Sequence, residues 1–374
     1  MRPILTFLLL ALALFAAGCG GRRSSPPPAA GGEATQADEG LQVSTAGWKT
    51  DFAKHTVPLD EFFGGGPGKD GIPAIDEPKF VSIAEANEWL AEREPVIELE
   101  LGGVARAYPI PVLIWHEIVN DTVAGTPIAV TFCPLCNTAL VFERRVGDRV
   151  LDFGTTGNLR NSDLVMYDRQ TESWWQQFGG EAVVGELAGA ELEPLPARVV
   201  AWEDFAARHP DGEVLSRDTG FSRPYGQNHY TGYDDVDSGP LFGAANSDDR
   251  RLPPKERVVY VERADDAVAV PLSWLARQKR VVVAVGGEKL EVVFTETASS
   301  ALDTPAIAEG RQVALADVRS LATREPVPFD QPFWFAVAAF RPDVRVVGRS
   351  LVANAALRPA PRPKGRTTGR FIAQ

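Results

Sequence analysis

Cysteine, histidine and methionine are scarce in this chain, at three, four and two in 374 residues. With four histidines and no second C-x-x-C, the sequence offers no closed four-ligand structural zinc site. Long apolar runs are lacking too. No stretch approaches the ~18 residues needed to span a bilayer, and the apolar run near the start, Ile4 to Phe15, is too short. Basic residues are outnumbered, 38 Lys and Arg against 50 Asp and Glu, and a net charge of −12 argues against nucleic acid as a partner. P-loop, Ser-His-Asp and paired-carboxylate signals do not rise above noise, so kinase and hydrolase chemistry find no support.

What is present at the start is an export signal. Arg2 supplies a positive end, Ile4 to Phe15 an apolar stretch, and "FAAGC" closes it at Cys19. A cysteine straight after small residues reads as a lipobox, where the signal (1–19) is cleaved and Cys19 carries the lipid. The alternative is an ordinary cleaved signal with an incidental cysteine. Residues 20–47 are poor in large apolar side chains and rich in Gly, Pro, Ala and Ser, as a flexible tether would be. Residues 357–374 carry five basic residues and no acid and read as a disordered tail. The expected location is the extracytoplasmic face of the cell membrane, with the lipid anchor as membrane partner.

Between tether and tail the composition is that of a globular protein, 44% hydrophobic and 24% charged. Alternating apolar segments such as "VIELELGGVARAYPI" and "RVVVAVGGEKLEVVFTET" are broken by Gly-Gly or Asp-Asp turns. Short helical patterns intervene at "IAEANEWLAER", "PVLIWHEIV" and "WEDFAARHP". The spacing predicts a mainly β fold with short helices (α+β). It also predicts two related, duplicated halves packed together. A shift of 162 lays Ile97–Leu140 on Val259–Leu302 without a gap, with twelve of forty-four pairs identical where chance gives roughly three. A second segment matches at a shift of 132, Trp202 falling on Trp334. The first copy is expected over 48–240 and the second over 241–356. Cys133, Cys136 and His116 fall on Thr295, Ala298 and Gln278, so the first copy is read as the chemical one and the second as degenerate.

The candidate site centres on "TFCPLCNTAL", which holds both remaining cysteines, Cys133 and Cys136. The longer middle of the first copy, "GTTGNLRNSDLVMYDRQTESWWQQFGG", is dense in donors and acceptors. Candidates for lining a ligand there are Arg160, Asn161, Asp163, Asp168, Ser173 and Trp175, with Asn137 beside the cysteines and Glu117 beside His116. A polar hairpin whose Asn, Asp and Ser cap their own turns is the plainer reading. A polar-aromatic run follows with Tyr225, His229, Tyr230 and Tyr233.

The strings "DGIPAIDEPKFVS", "AYPIPVLIWHEIVND", "TFCPLCNTALVFERRV", "GNLRNSDLVMYDRQTESWWQQ" and "HPDGEVLSRDTGFSRPYG" together resemble the domain of unknown function 3179 family, over roughly residues 68 to 350. That family has no established activity, so the resemblance implies positions and no reaction. Its Trp-His-Glu falls on Trp115 to Glu117 and its Cys-Pro-Leu-Cys on Cys133 to Cys136. Its Asn-Ser-Asp falls on Asn161 to Asp163, and its Asp-Arg-Gln-Thr-Glu-Ser on Asp168 to Ser173.

Three readings of the cysteine pair remain open. Two thiolates with an imidazole from His116 suit copper or zinc. A dithiol could exchange with a redox partner, His116 serving as base, although the following segment reads as a strand and not a helix. A bridge between residues three apart closes a small ring and contributes less than a long-loop disulfide, which would leave a plain binding protein for a small ligand. On the lipobox reading, Cys19→Ala is expected to release the protein from the membrane fraction or leave its signal uncleaved. Unchanged membrane association by fractionation removes the anchor.

Overall fold

Antiparallel hairpins build most of the chain, and their turns sit where small residues break the apolar runs. The strands Pro95–Leu101 and Val104–Pro109 pair across Gly102 and Gly103. Ile118–Val123 and Thr126–Cys133 pair across Ala124 and Gly125. All four turn residues have positive φ, the conformation that suits tight hairpins to the twist of their strands. The two turns abut, because a Cβ on Gly102 would lie 2.5 Å from that of Ala124. One of them must therefore be glycine.

The computed structural model describes residues 40–348, which are mainly β with a few short helices. The signal with Cys19, most of the tether and the basic tail lie outside the described residues, as does the end of the second copy. Leu41 and Val43, expected in the tether, pack against a core cluster with Trp48; ordered chain thus begins before residue 48. The helical patterns are realised only in part. "IAEANEWLAER" gives Ile83–Ala86, "PVLIWHEIV" gives Ile110–Leu113 and "WEDFAARHP" gives Trp202–Arg208. No described helix is long and apolar enough to cross a membrane.

Three larger sheets and a two-stranded ribbon, Arg145–Val146 with Arg149–Val150, make up the N-terminal part. One orders Phe62–Gly64, Phe153–Arg160, Asp163–Asp168, Trp174–Gln176 and Ala182–Val184. A second orders Glu193–Leu195, Thr138–Glu143, Thr126–Cys133 and Ile118–Val123, and a third contains Pro95–Leu101 and Val104–Pro109 at its centre. The C-terminal part has two three-stranded sheets. Element starts recur along the chain: Val104, Ile110, Ile118 and Thr126 open elements 162 residues before Asp266, Leu272, Arg280 and Glu288. Helices Trp202–Arg208 and Trp334–Phe340 stand 132 apart. Each is followed by a short strand parallel to its hairpin, Glu213–Leu215 on Val104–Pro109 and Arg345–Val346 on Asp266–Pro271.

The largest core cluster joins both parts, running from Phe132, Phe153 and Trp175 to Phe333, Trp334 and Phe335. A separate cluster surrounds Trp174, which meets Trp48, Phe52 and Phe62 edge-on at centroid distances of 5.2, 5.2 and 5.4 Å. Its indole N–H is buried without a partner among the described residues. Trp174→Ala is expected to cost about 3–5 kcal/mol through the cavity it leaves. Trp174→Phe should cost clearly less, since no hydrogen bond is lost with the N–H. Denaturant midpoints of the two variants check the order.

Candidate functional site

Cys133 ends the strand Thr126–Cys133, and a turn through Asn137 leads into Thr138–Glu143. Asn137 takes φ of 59° there, a left-handed conformation that asparagine tolerates better than most residues. Both sulfurs are free and buried. The hairpin of Phe153–Arg160 and Asp163–Asp168, turning at Asn161 and Ser162, brings Asp163 against them. Cys136 donates through Sγ to Asp163 Oδ1 at 2.8 Å, with Thr138 Oγ1 at 3.0 Å from the same sulfur. The sulfurs of Cys133 and Cys136 and a carboxylate oxygen of Asp163 all lie within 4.8 Å of one another.

A shell of amides fixes this group. Gln176 Nε2 donates to Asp163 Oδ2, and the Phe178 backbone N–H donates to the same oxygen at 2.9 Å. Thr138 donates to Gln177 Oε1 at 2.5 Å, and Gln177 in turn donates to Thr131 at 2.8 Å. The C-terminal part holds the turn from the other side. The Phe333 N–H donates to the Cys136 carbonyl at 2.9 Å, Asn137 Nδ2 donates to the Gln331 carbonyl at 2.8 Å, and Ala139 N–H donates to Asp330 Oδ1 at 3.0 Å. Arg257 donates to Asn137 Oδ1 at 3.0 Å, and Tyr233 donates to the Leu135 carbonyl at 2.8 Å.

Burial dominates the electrostatics. It pushes the Cys133 thiol up and the Cys136 thiol well up. It raises Asp163 to about 6, against the bonds from Cys136 and the Phe178 N–H that favour its charge. Glu117 is raised to about 8, with the Asp163 charge adding to burial, and Asp330 to about 7. Thiols pushed up in this way are poor nucleophiles at neutral pH.

His116 does not join the cysteines, contrary to the expected third ligand. Its Nδ1 faces the Pro73 carbonyl at 2.7 Å and its Nε2 faces the Tyr225 hydroxyl at 2.7 Å; Tyr225 also bonds Thr219 at 2.5 Å. Both nitrogens are thus engaged, Nδ1 with the Pro73 carbonyl and Nε2 in tying the 219–225 segment to the body, and burial lowers the imidazole's pKa. The group within 4.8 Å holds Asp163 in place of the histidine.

The other candidates scatter. The polar run is a strand hairpin, the plainer of its two readings. Asp168 accepts from Trp175 Nε1 at 2.9 Å and from the Thr171 N–H at 2.6 Å, while Ser173 accepts from the Leu187 N–H at 3.0 Å, all within a structural network. Asn161 accepts from the Ala245 N–H at 2.9 Å. Arg160 borders an open cleft of about 550 Å³ together with Gln176, Phe178, Tyr260, Asp330 and Phe340. The cysteines do not line that cleft. Gln176, Gln177, Asp330 and the Gln331–Phe333 backbone were not found from sequence. "FDQPFW" carries no motif, and "WWQQFGG" signals only its aromatics.

The sequence matches the family described as "Protein of unknown function (DUF3179)" over residues 69–344. The chain belongs to this family. No curated protein and no solved structure matches it.

Asp330 gives the site a pH signature. Its folded pKa, about 7, lies above the ordinary 3.8, so the folded state holds a proton that the unfolded chain has released. Stability from this group is present below pH ~4 and is lost as pH rises through ~7. Asp330→Asn keeps the bonds to the Ala139 and Gln331 N–H groups and is expected to lose less stability between pH 4 and 7 than the wild type. Urea midpoints of metal-free protein across that range test it.

Proposed function

We propose that this protein is an extracytoplasmic metal-binding protein that holds zinc or copper through Cys133, Cys136 and Asp163. The observation that carries the reading is the set of two thiols and one carboxylate, all buried and within 4.8 Å of one another. Two sulfurs and one oxygen suit Zn(II); Cu(I) would use the thiolates alone. The amides of Gln176 and Phe178 serve as the outer partners that orient a ligating carboxylate. Anchoring through Cys19 on the extracytoplasmic face is part of the proposal and rests on "FAAGC".

We also read the two parts as copies of one unit. The element starts at a constant offset of 162 support this. So does the positive φ that Gly102 and Ala124 share with Ala264 and Gly286, the residues 162 positions later. On this reading the second copy keeps the frame and has lost the donors.

A thiol-disulfide redox function is the second reading, and the neighbouring free sulfurs favour it. Metal analysis with a thiol count, on protein purified anaerobically without an affinity tag, separates the two. One zinc or copper per chain is expected, lost in Cys133→Ser and weakened in Asp163→Asn by at least the ~10–100-fold typical of outer-shell partners. No metal and a readily reducible disulfide would favour the redox reading.

A further inference from the structure

Glu117 is a buried acid that the framework does not need. It stands immediately before the strand Ile118–Val123, and its carbonyl accepts from the Phe132 N–H at 2.8 Å. That places it beside the strand end that carries Cys133. The residue is 6% exposed, and no described residue gives its carboxyl a hydrogen bond. The Asp163 charge acts on it, and its own charge acts on Cys133.

The corresponding bend in the C-terminal part separates frame from function. Lys279 occupies it, with φ of 67° against 59° for Glu117. The Lys279 carbonyl accepts from the Phe294 N–H at 2.9 Å, and its ammonium lies 4.1 Å from the centre of the Phe294 ring. The left-handed backbone therefore belongs to the bend itself. A buried acid at this bend belongs only to the part that has Cys133, Cys136 and Asp163.

Glu117 is outside the group whose ligand atoms are all within 4.8 Å, so it does not complete a four-ligand protein cage. Three protein donors leave a tetrahedral ion one position short. A water bound at about 2.0–2.3 Å and hydrogen-bonded at about 2.7–2.8 Å would bridge the ion to a carboxylate roughly 5 Å away. We propose that Glu117 is a positioning residue that holds, by hydrogen bond, the water completing the coordination of an ion on Cys133, Cys136 and Asp163. This rests on the metal reading of those three residues.

Cobalt(II) serves as the probe. With wild-type protein a thiolate-to-cobalt charge-transfer band in the near ultraviolet is expected, with a tetrahedral d–d envelope in the visible. Glu117→Gln should keep the charge-transfer intensity, shift the d–d envelope that reports the fourth ligand, and bind Co(II) and Zn(II) about 10–100-fold more weakly in chelator competition. A wild-type protein without the charge-transfer band would sink the metal reading, and this inference with it. Wild-type binding with an unchanged envelope and affinity in Glu117→Gln would overturn the inference alone. Loss of the four-coordinate envelope in the variant would also overturn it, by making Glu117 a direct ligand. Glu117→Asn, better suited to positive φ, repeats the test should the glutamine variant fail to fold.

Discussion

The bond from Cys136 to Asp163 is where the architecture meets the chemistry. It joins the turn at the end of one sheet to the first residue of a strand in another. Among the described residues no lysine or arginine pairs with Asp163, so its charge is supported by an amide side chain, one backbone N–H and a thiol. Burying an acid on those terms is costly unless its partners are rigid. Much of the surrounding structure supplies that rigidity. The Trp174–Gln176 strand aims Gln176, the following bend aims the Phe178 N–H, and Thr138 is locked through Gln177 to Thr131.

The C-terminal part matters to this arrangement although it contributes no donor to the buried set. Its segment Asp330 to Phe333 supplies one carboxylate, one backbone carbonyl and one backbone N–H to the cysteine turn. Arg257 adds a cation to Asn137 while remaining paired with Asp234 at 3.1 Å. A left-handed asparagine in a buried turn would otherwise carry backbone strain with nothing opposing relaxation. The turn is thus clamped from a distant part of the chain, so the cysteines hold their geometry without a bridge between them.

The sequence made the β hairpins legible, because Val, Ile and Phe alternate between Gly-rich turns and each such pair closes locally. The recurrence at 162 was legible for the same reason, since turn and strand residues repeat together. Cys133, Cys136 and Asp163 were all named from sequence, but their adjacency was not. Asp163 reaches the sulfurs only through pairing between sheets, and nothing in the spacing of 27 residues encodes it. His116 shows the converse error. Its place in a Trp-His-Glu run near a cysteine strand suggested a ligand, whereas Pro73 and Tyr225, 43 and 109 residues away, claim both nitrogens. Distant partners of that kind leave no local trace. The polar run from Asn158 to Ser173 was ambiguous in the same sense: its Asp168 satisfies its own turn, Asn161 and Ser173 tie down neighbouring backbone, and Asp163 reaches the sulfurs.

Two bends 162 residues apart, with different side chains, sharpen what the fold itself demands. Glu117 and Lys279 share a left-handed backbone, and each accepts from a phenylalanine N–H on the neighbouring strand. That bend lets a short helix hand over to a strand within a few residues, and a lysine meets the requirement by laying its stem over an aromatic ring. Glutamate meets it only by burying an acid next to a second acid, which raises its pKa and destabilises its charged form. Local stability therefore gives no reason for glutamate at position 117. The reason has to lie in the charges near the acid, and those are Asp163 and the Cys133 thiol.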